Sequence, residues 1–191
     1  MWLWPDADPK RARKLAGDFP MTGYAVVPNS RWAVTTSIAQ PDVWIWDFET
    51  GERLRNLGLD GRASSEPLAN GRWLVARSRD EFGVWETGTW KRVSQWPARP
   101  DEASMTIYSS PNSRLLATYN ATGRFVLREL PSGKELILLT PPQSIPVQNF
   151  QFSADSTRVL FMSNNGQMFD WDISEVRREL AKLELDWPDS H

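Results

Sequence analysis

The sequence contains no cysteine, and its single histidine, His191, is the last residue. Without cysteine the chain has no disulfide framework, no thiolate zinc site and no cysteine nucleophile. A serine or threonine nucleophile would also lack its usual partner, because no internal histidine serves as a general base. We therefore predict no catalytic, metal-binding or cofactor-binding residues, and we expect that the protein is not an enzyme.

The sequence also lacks an excess of charge of one sign and any long apolar run. Lysine and arginine number 22 and aspartate and glutamate 24, which gives a formal net charge of −2. Such a balance provides no strong field for nucleic acid. No segment approaches the roughly 18 to 20 apolar residues of a membrane-spanning helix, and the first residues do not follow the pattern of a secretory signal. We expect a cytoplasmic protein that binds neither nucleic acid nor membranes.

Phosphate-binding loops of the GxGxxG and GxxxxGK types are absent as well. A carboxylate-dependent hydrolase is an enzymatic alternative, and it requires two carboxylates about 5 to 10 Å apart. The candidate carboxylates are Asp60, Asp101, Glu102, Asp47, Glu86, Glu129 and Asp172. The last four recur at equivalent positions of a repeat, so we interpret them as turn or strand-end residues.

The sequence does contain a short phrase that occurs four times. The copies read Asn-Ser-Arg-Trp, Asn-Gly-Arg-Trp, Asn-Ser-Arg-Leu and Asp-Ser-Thr-Arg, and they begin at Asn29, Asn70, Asn112 and Asp155. Successive copies are therefore 41, 42 and 43 residues apart. A nearly fixed period of this size indicates a chain built from repeated structural units.

Each repeat predicts four β-strands. An apolar run precedes the turn phrase and a second run follows it, which is typical of a hairpin. A third run, such as residues 43–46, comes after a polar loop, and in the first three copies a turn ending in glycine precedes a fourth run. Apolar residues at successive positions of the third run indicate a strand covered on both faces. Four strands in about 42 residues are typical of a β-propeller blade.

The third runs carry a resemblance to a known family. Trp46-Asp47 and Trp171-Asp172 are Trp-Asp dipeptides in register with the turns, and Trp85-Glu86 and Arg128-Glu129 occupy the same place in the other copies. From about residue 21 to 172 the chain resembles a WD-repeat protein. The Gly-His pair of that family is absent, so its His–Asp network is not carried over. The C-terminal part is similar to WD-repeat regions of bacterial multidomain proteins, some of them kinase-linked.

The repeat predicts an all-β fold, a partial, open β-propeller of about four WD-type blades followed by an amphipathic helix. Residues 1–6 and 13–19 resemble the third and fourth strands of a blade, so we expect either missing upstream blades or self-association; a closed four-bladed ring is the alternative. The predicted parts are a partial blade at 1–20, blades at about 21–60, 61–100, 101–142 and 143–172, and a helix with a tail at 173–191.

The predicted helix has an apolar stripe at Ile173, Val176, Leu180 and Leu183, with a possible capping box between Asp172 and Glu175. Most of the 11 tryptophans fall at equivalent positions of the repeat, which predicts packing within and between blades. Trp90 and Trp96 instead lie in a predicted outer strand, nearer the rim, where they are candidates for a contact surface.

The loops between second and third strands lie on the face that WD-repeat proteins commonly use for partners. The residues predicted there are Arg77, Arg79, Asn120, Arg124 and Asn164. The three arginines would form a basic patch for an acidic peptide, or they are ordinary solvated loop charges. Asn120 also begins a glycosylation sequon, which we interpret as shaping a loop. The leading hypothesis is a non-catalytic scaffold for protein–protein interaction; the alternative is a fragment or split half that completes a larger propeller.

Overall fold

The computed structural model describes residues 2–3, 13–14, 21–37, 43–59, 62–102, 107–120, 122–141, 144 and 146–188. The chain divides into two compact units, residues 1–98 and 99–191. The predictions made for residues 4–6 and 15–19, for Asp60 and for His191 lie outside the described residues.

The fold is all-β with one helix. The first unit contains a two-stranded pair made of β1 (Trp2–Leu3) and β2 (Arg13–Lys14). The strands of its first sheet are β3 (Gly23–Val26), β4 (Trp32–Thr36), β5 (Val43–Asp47) and β6 (Arg53–Asn56). The strands of its second sheet are β7 (Ser64–Pro67), β8 (Trp73–Arg77), β9 (Glu81–Glu86) and β10 (Arg92–Pro97). The second unit contains two sheets. The strands of the third sheet are β11 (Tyr108–Ser109), β12 (Leu115–Tyr119), β13 (Phe125–Glu129) and β14 (Glu135–Leu139). The strands of the fourth sheet are β15 (Val147–Phe152), β16 (Arg158–Ser163) and β17 (Met168–Asp172).

Neighbouring strands in every sheet are antiparallel and follow the order of the chain. The sheets from first to third have four strands each, and the fourth sheet has three. The predicted all-β class, with blade-like repeated sheets and a C-terminal helix, is confirmed.

The repeated phrase forms the turn between the first and second strands of each sheet. In the last three copies its second residue has a left-handed backbone, with φ of 68° at Gly71, 60° at Ser113 and 64° at Ser156. The side chain before it accepts a hydrogen bond from the amide two residues later, for example Asn70 Oδ1 from Arg72 at 2.9 Å. These local bonds explain why asparagine or aspartate starts the phrase. The first copy differs, because its left-handed residue is Asn29, with φ of 54°.

The core of the first unit lies between its first and second sheets. Val34 and Ile45 of the first sheet and Leu74 of the second are fully buried in one apolar cluster. Trp90 belongs to the same cluster and packs edge to face on Trp32, with ring centres 5.9 Å apart. Trp90 therefore lies in the core rather than at the rim, because it ends the turn before β10 and is only 6% exposed.

The core of the second unit is rich in phenylalanine. Phe125 of the third sheet contacts Phe150, Phe161 and Trp171 of the fourth sheet, with ring centres 5.6, 6.4 and 5.8 Å apart. The interplanar angles of 72°, 61° and 74° are the edge-to-face geometry that aromatic rings favour. The third strands β5, β9 and β13 are buried over most of their length, as the sequence predicts. The prediction is wrong for β17, where no residue is buried and Met168 is 70% exposed, because no fourth strand pairs with its outer edge among the described residues.

The chain enters helix α1 (Ile173–Ala181) where the other sheets form a fourth strand. Asp172 caps the helix, and its Oδ1 accepts a hydrogen bond from the amide of Glu175 at 2.9 Å. Of the predicted apolar stripe, Ile173 is buried, but Leu183 follows the end of the helix and is 67% exposed. Within the described part of the chain, no helix has the length and apolar character needed to cross a membrane.

Candidate functional site

Arg77 and Arg79, two of the residues predicted to bind a partner, have different environments in the first unit. Arg77 ends β8 and pairs with Phe82 of β9. It is 1% exposed, and its guanidinium carbon lies 4.7 Å from the centre of the Phe82 ring. The long side chain covers an apolar ring while β8 extends into the predicted loop. Arg79 is exposed, so it is the one of the two that a partner can reach.

Asn120, Arg124 and Asn164 lie in the second unit. Asn120 is buried, and its Oδ1 accepts hydrogen bonds from the amides of Thr122 and Arg124 at 3.0 and 3.1 Å. It therefore shapes the loop, as predicted for the sequon, whose middle residue lies outside the described ranges. The Arg124 guanidinium lies 3.7 Å from a carboxylate oxygen of Asp101, and Asn164 is exposed. Arg124 is the only arginine of the predicted basic patch in this unit.

A buried polar network that the sequence did not predict lies on the third sheet. Arg128 Nη1 donates hydrogen bonds to Glu102 Oε1 at 2.6 Å and to Thr118 Oγ1 at 3.0 Å. Arg128 occupies the position that Trp46 holds in the first sheet, where the indole Nε1 donates to Thr35 Oγ1 at 2.8 Å. The same hydroxyl position thus serves two different donors. The arginine requires the buried carboxylate of Glu102 as a counter-charge, so the network is structural.

A cleft of about 190 Å³ lies in the second unit, next to helix α1. Its walls come from the turn phrases of the third and fourth sheets, from the start of the helix and from the segment after it; the lining residues include Asn112, Arg114, Leu115, Glu129, Asp155, Thr157, Ser174, Arg177 and Trp187. The turn phrases are at the opposite end of the strands from the loops that the sequence favoured. The cleft joins segments that are far apart in the chain, and for this reason no sequence pattern predicted it.

Arg177 holds the segment after the helix against the cleft. Its Nε and Nη2 donate to the two carboxylate oxygens of Asp186, both at 3.0 Å, and Nη2 also donates to the carbonyl of Trp187 at 2.8 Å. The guanidinium carbon lies 5.3 Å from the centre of the Trp187 ring. A two-pronged arginine–carboxylate pair fixes orientation as well as distance, so the indole is a preformed wall of the cleft.

The cleft contains charges of both signs. Hydrogen bonds from the Ser153 hydroxyl and from the amide and hydroxyl of Thr157 lower the pKa of Asp155 to about 2. Its carboxylate is therefore ionised at neutral pH. The Arg114 side chain is exposed and makes no ion pair with any residue that the structure describes. One aromatic wall, a free cation and an ionised carboxylate suit recognition of a polar peptide segment.

Three of the carboxylates considered for acid–base chemistry, Asp47, Glu129 and Asp172, accept hydrogen bonds that stabilise a turn or the start of the helix. Asp47 Oδ1 accepts from the amides of Glu49 and Thr50, at 2.9 and 3.2 Å. Glu129 Oε2 accepts from the hydroxyl of Ser132 at 2.7 Å, and Asp172 caps the helix. The interpretation of these acidic residues as turn and strand-end residues is confirmed.

Within the described ranges, no three His, Cys, Asp or Glu side chains are grouped so as to hold a metal ion. No sequence model of a known protein family matches the chain, and no curated protein matches it.

Proposed function

We propose that the chain is a non-catalytic scaffold of the WD-repeat type that binds another protein or a peptide. The four turn phrases, the tryptophan–acid dipeptides at the ends of third strands and the blade-like sheets support this assignment. The bond from Trp46 Nε1 to Thr35 Oγ1 supports it further, because it links neighbouring strands at the Trp-Asp position. Repeat architectures of this kind present extended binding surfaces.

The cleft beside α1 is the observation that carries the proposal. Arg177 holds the segment with the Trp187 indole through three hydrogen bonds. Little conformational entropy is therefore lost in this segment when a ligand binds. Tryptophan and arginine are the residues that most often dominate protein interfaces. The exposed Arg114 adds a cation at the mouth of the cleft, where it can pair with a carboxylate of the partner.

Replacing Trp187 by alanine is expected to weaken partner binding strongly. The full chain, immobilised under native conditions, is incubated with an extract of its source organism, and proteins retained by the wild type are identified and titrated. Loss of a central tryptophan is expected to weaken binding by at least about 2 kcal/mol, roughly thirtyfold. The matched control is Val93→Ala, an exposed apolar side chain in the first unit that belongs to no candidate site. A wild type that retains nothing specific, or a W187A variant that binds equally well, would contradict the proposal.

A second candidate function, completion of a propeller by association with another chain, is favoured by an exposed apolar face. Tyr24 and Val26 of β3 are 75% and 53% exposed. Val26 pairs with Ala33 across the first hairpin. The residue of the second sheet that is equivalent to Ala33 is Leu74, which is buried in the core between the two sheets. On the same face the buried Nε1 of Trp44 has no hydrogen-bond partner among the described residues. At β3 the first sheet thus exposes part of a face of the type that the second sheet buries, while Ala33, Thr35 and Trp46 on the same face are themselves buried.

If completion is the function, the wild-type chain is expected to sediment as an assembly larger than 21.9 kDa at micromolar concentration. The variant Tyr24→Ser with Val26→Thr is expected to sediment as a monomer, because it removes apolar surface from the contact. Sedimentation equilibrium over a range of concentrations measures this. A wild-type chain that is monomeric throughout excludes obligatory completion and leaves the scaffold proposal unaffected.

A further inference from the structure

The outer edge of β17 is open. The equivalent strands β5, β9 and β13 pair with a fourth strand on their outer side, whereas β17 pairs with β16 alone among the described residues. Such an edge presents unpaired N–H and C=O groups that accept an additional strand.

The register shows which groups face this edge. Ser163 N donates to the carbonyl of Gln167, and Ile173 N donates to the carbonyl of Thr157. Residues 167 and 173 therefore bond toward β16, and because the pattern alternates along a strand, Met168 and Asp170 direct their backbone groups to the open edge. In β5 the residues equivalent to Met168 and Asp172 are Val43 and Asp47, and both bond outward. The carbonyl of Val43 accepts from the amide of Leu57, and the amide of Asp47 donates to the carbonyl of Glu52, both at 2.9 Å.

The other sheets indicate what kind of residue faces the end of the third strand. In the first sheet Arg53 pairs with Trp46; its guanidinium carbon lies 4.1 Å from the centre of the Trp44 ring and 6.0 Å from that of Trp46. In the second sheet Arg92 pairs with Trp85, at 5.0 Å from the ring centre. A tryptophan at this position is thus faced by an arginine, as a cation–aromatic contact favours.

In the third sheet the position contains Arg128, and the residue that pairs with it is acidic, Glu135. The residue of the fourth strand is therefore basic where the third strand has a tryptophan and acidic where it has an arginine. Trp171 holds this position in the fourth sheet, which predicts a basic residue on an incoming strand.

The charges along β17 point to the same partner. Asp170 and Asp172 share one arginine, Arg158, whose Nη2 lies 2.7 and 3.9 Å from their carboxylate oxygens. The edge therefore carries one negative charge in excess. Next to it, Met168 and Met162 line a shallow apolar groove of about 140 Å³ on the surface of the fourth sheet. Met168 is 70% exposed.

We propose that the open edge of β17 binds an extended, basic segment of another protein chain by strand addition. The segment places one basic residue opposite Trp171, a second opposite Asp170 and an apolar residue opposite Met168. In the register of β10 on β9 these are its first, third and fifth residues. The edge is separate from the cleft beside α1, so this proposal goes beyond the proposed function and stands or fails independently of it.

The test uses a fluorescent peptide, Arg-Val-Arg-Gln-Leu-Thr, titrated with the full chain and followed by anisotropy. Met168→Pro removes an outward N–H without breaking a bond to β16, and proline is tolerated at strand edges. We expect Met168→Pro to weaken binding at least roughly tenfold and Met168→Ala, which keeps the amide, to change it less than about threefold. Trp187→Ala is expected to bind the peptide as the wild type does.

A second variant tests the charge. Asp170→Lys is expected to weaken binding about tenfold, in a salt-dependent manner, whereas Glu179→Lys on the exposed face of α1, with the same change of net charge, leaves it unaltered. A peptide with glutamate in place of both arginines, or N-methylated at the amides that face β17, is expected not to bind.

Several results would overturn the proposal. They are equal binding by the Met168→Pro and Met168→Ala variants, equal binding of the glutamate peptide, and no binding of the basic peptide to the wild type. If Met168→Pro does not fold, the N-methylated peptide and the Asp170→Lys pair decide.

Discussion

Replacing Glu102 by alanine is expected to lower the free energy of unfolding of the second unit by about 3 to 5 kcal/mol, the usual cost of removing one partner of a buried ion pair. Glu102 Oε1 lies 2.6 Å from Arg128 Nη1, and the two side chains are 2% and 3% exposed. Its Oε1 also accepts a bond from Thr118 Oγ1 at 2.6 Å. Without this carboxylate, the guanidinium stays buried but loses its buried counter-charge. Urea unfolding at equilibrium, followed by circular dichroism, measures the loss.

Glu135→Ala provides the matched control. Glu135 Oε2 also approaches Arg128, at 3.7 Å, but its side chain is 42% exposed. We expect this variant to lose no more than about 1 kcal/mol, because exposed ion pairs contribute little. The double variant Glu102→Leu with Arg128→Met is expected to recover most of the lost stability, since apolar residues of similar size often replace a buried pair without cost. Equal losses for Glu102→Ala and Glu135→Ala would contradict a buried counter-charge.

The sequence predicted the strands best where a short run of residues is compatible with only one local structure. Val43, Trp44, Ile45 and Trp46 in succession predict a strand covered on both faces, and in β5 Val43 and Ile45 are buried on one face and Trp46 on the other. The turn phrase was equally informative, because asparagine before a left-handed residue satisfies its own backbone through a local bond. Such signals are local, so one sequence is sufficient to read them.

Other features could not be predicted because they depend on partners distant in sequence. The sequence predicts that Arg77 is a charged loop residue, but it is buried, and its guanidinium lies over the ring of Phe82 across the hairpin. The sequence places Trp90 in an outer strand, but its edge-to-face contact with Trp32, from the preceding sheet, holds it in the core. The cleft requires Arg177 to bind Asp186 across the end of the helix. Only the fold brings these groups together.

Gly71→Ala is expected to lower the free energy of unfolding of the first unit by about 2 to 4 kcal/mol. Gly71 has a φ of 68°, and a Cβ added there would lie 2.4 Å from the carbonyl oxygen of Pro28 in the first sheet. A backbone oxygen cannot rotate away as a side chain does, so the two sheets would have to separate at this turn. Equilibrium urea unfolding measures the loss.

Gly88→Ala is the control that separates the cost of the steric contact with Pro28 from the cost of the left-handed backbone conformation. Gly88 lies in the same sheet, between β9 and β10, with a φ of 85°, but a Cβ there would meet nothing within 4 Å. Its loss is therefore expected to be about 1 to 2 kcal/mol, the cost of the left-handed conformation alone. Ser113 and Ser156 hold the equivalent of position 71 at φ of 60° and 64°, so this backbone tolerates a side chain. A loss for Gly71→Ala no greater than that for Gly88→Ala would show that the turn of the second sheet does not press on Pro28, and would contradict the packing of the two sheets at that point.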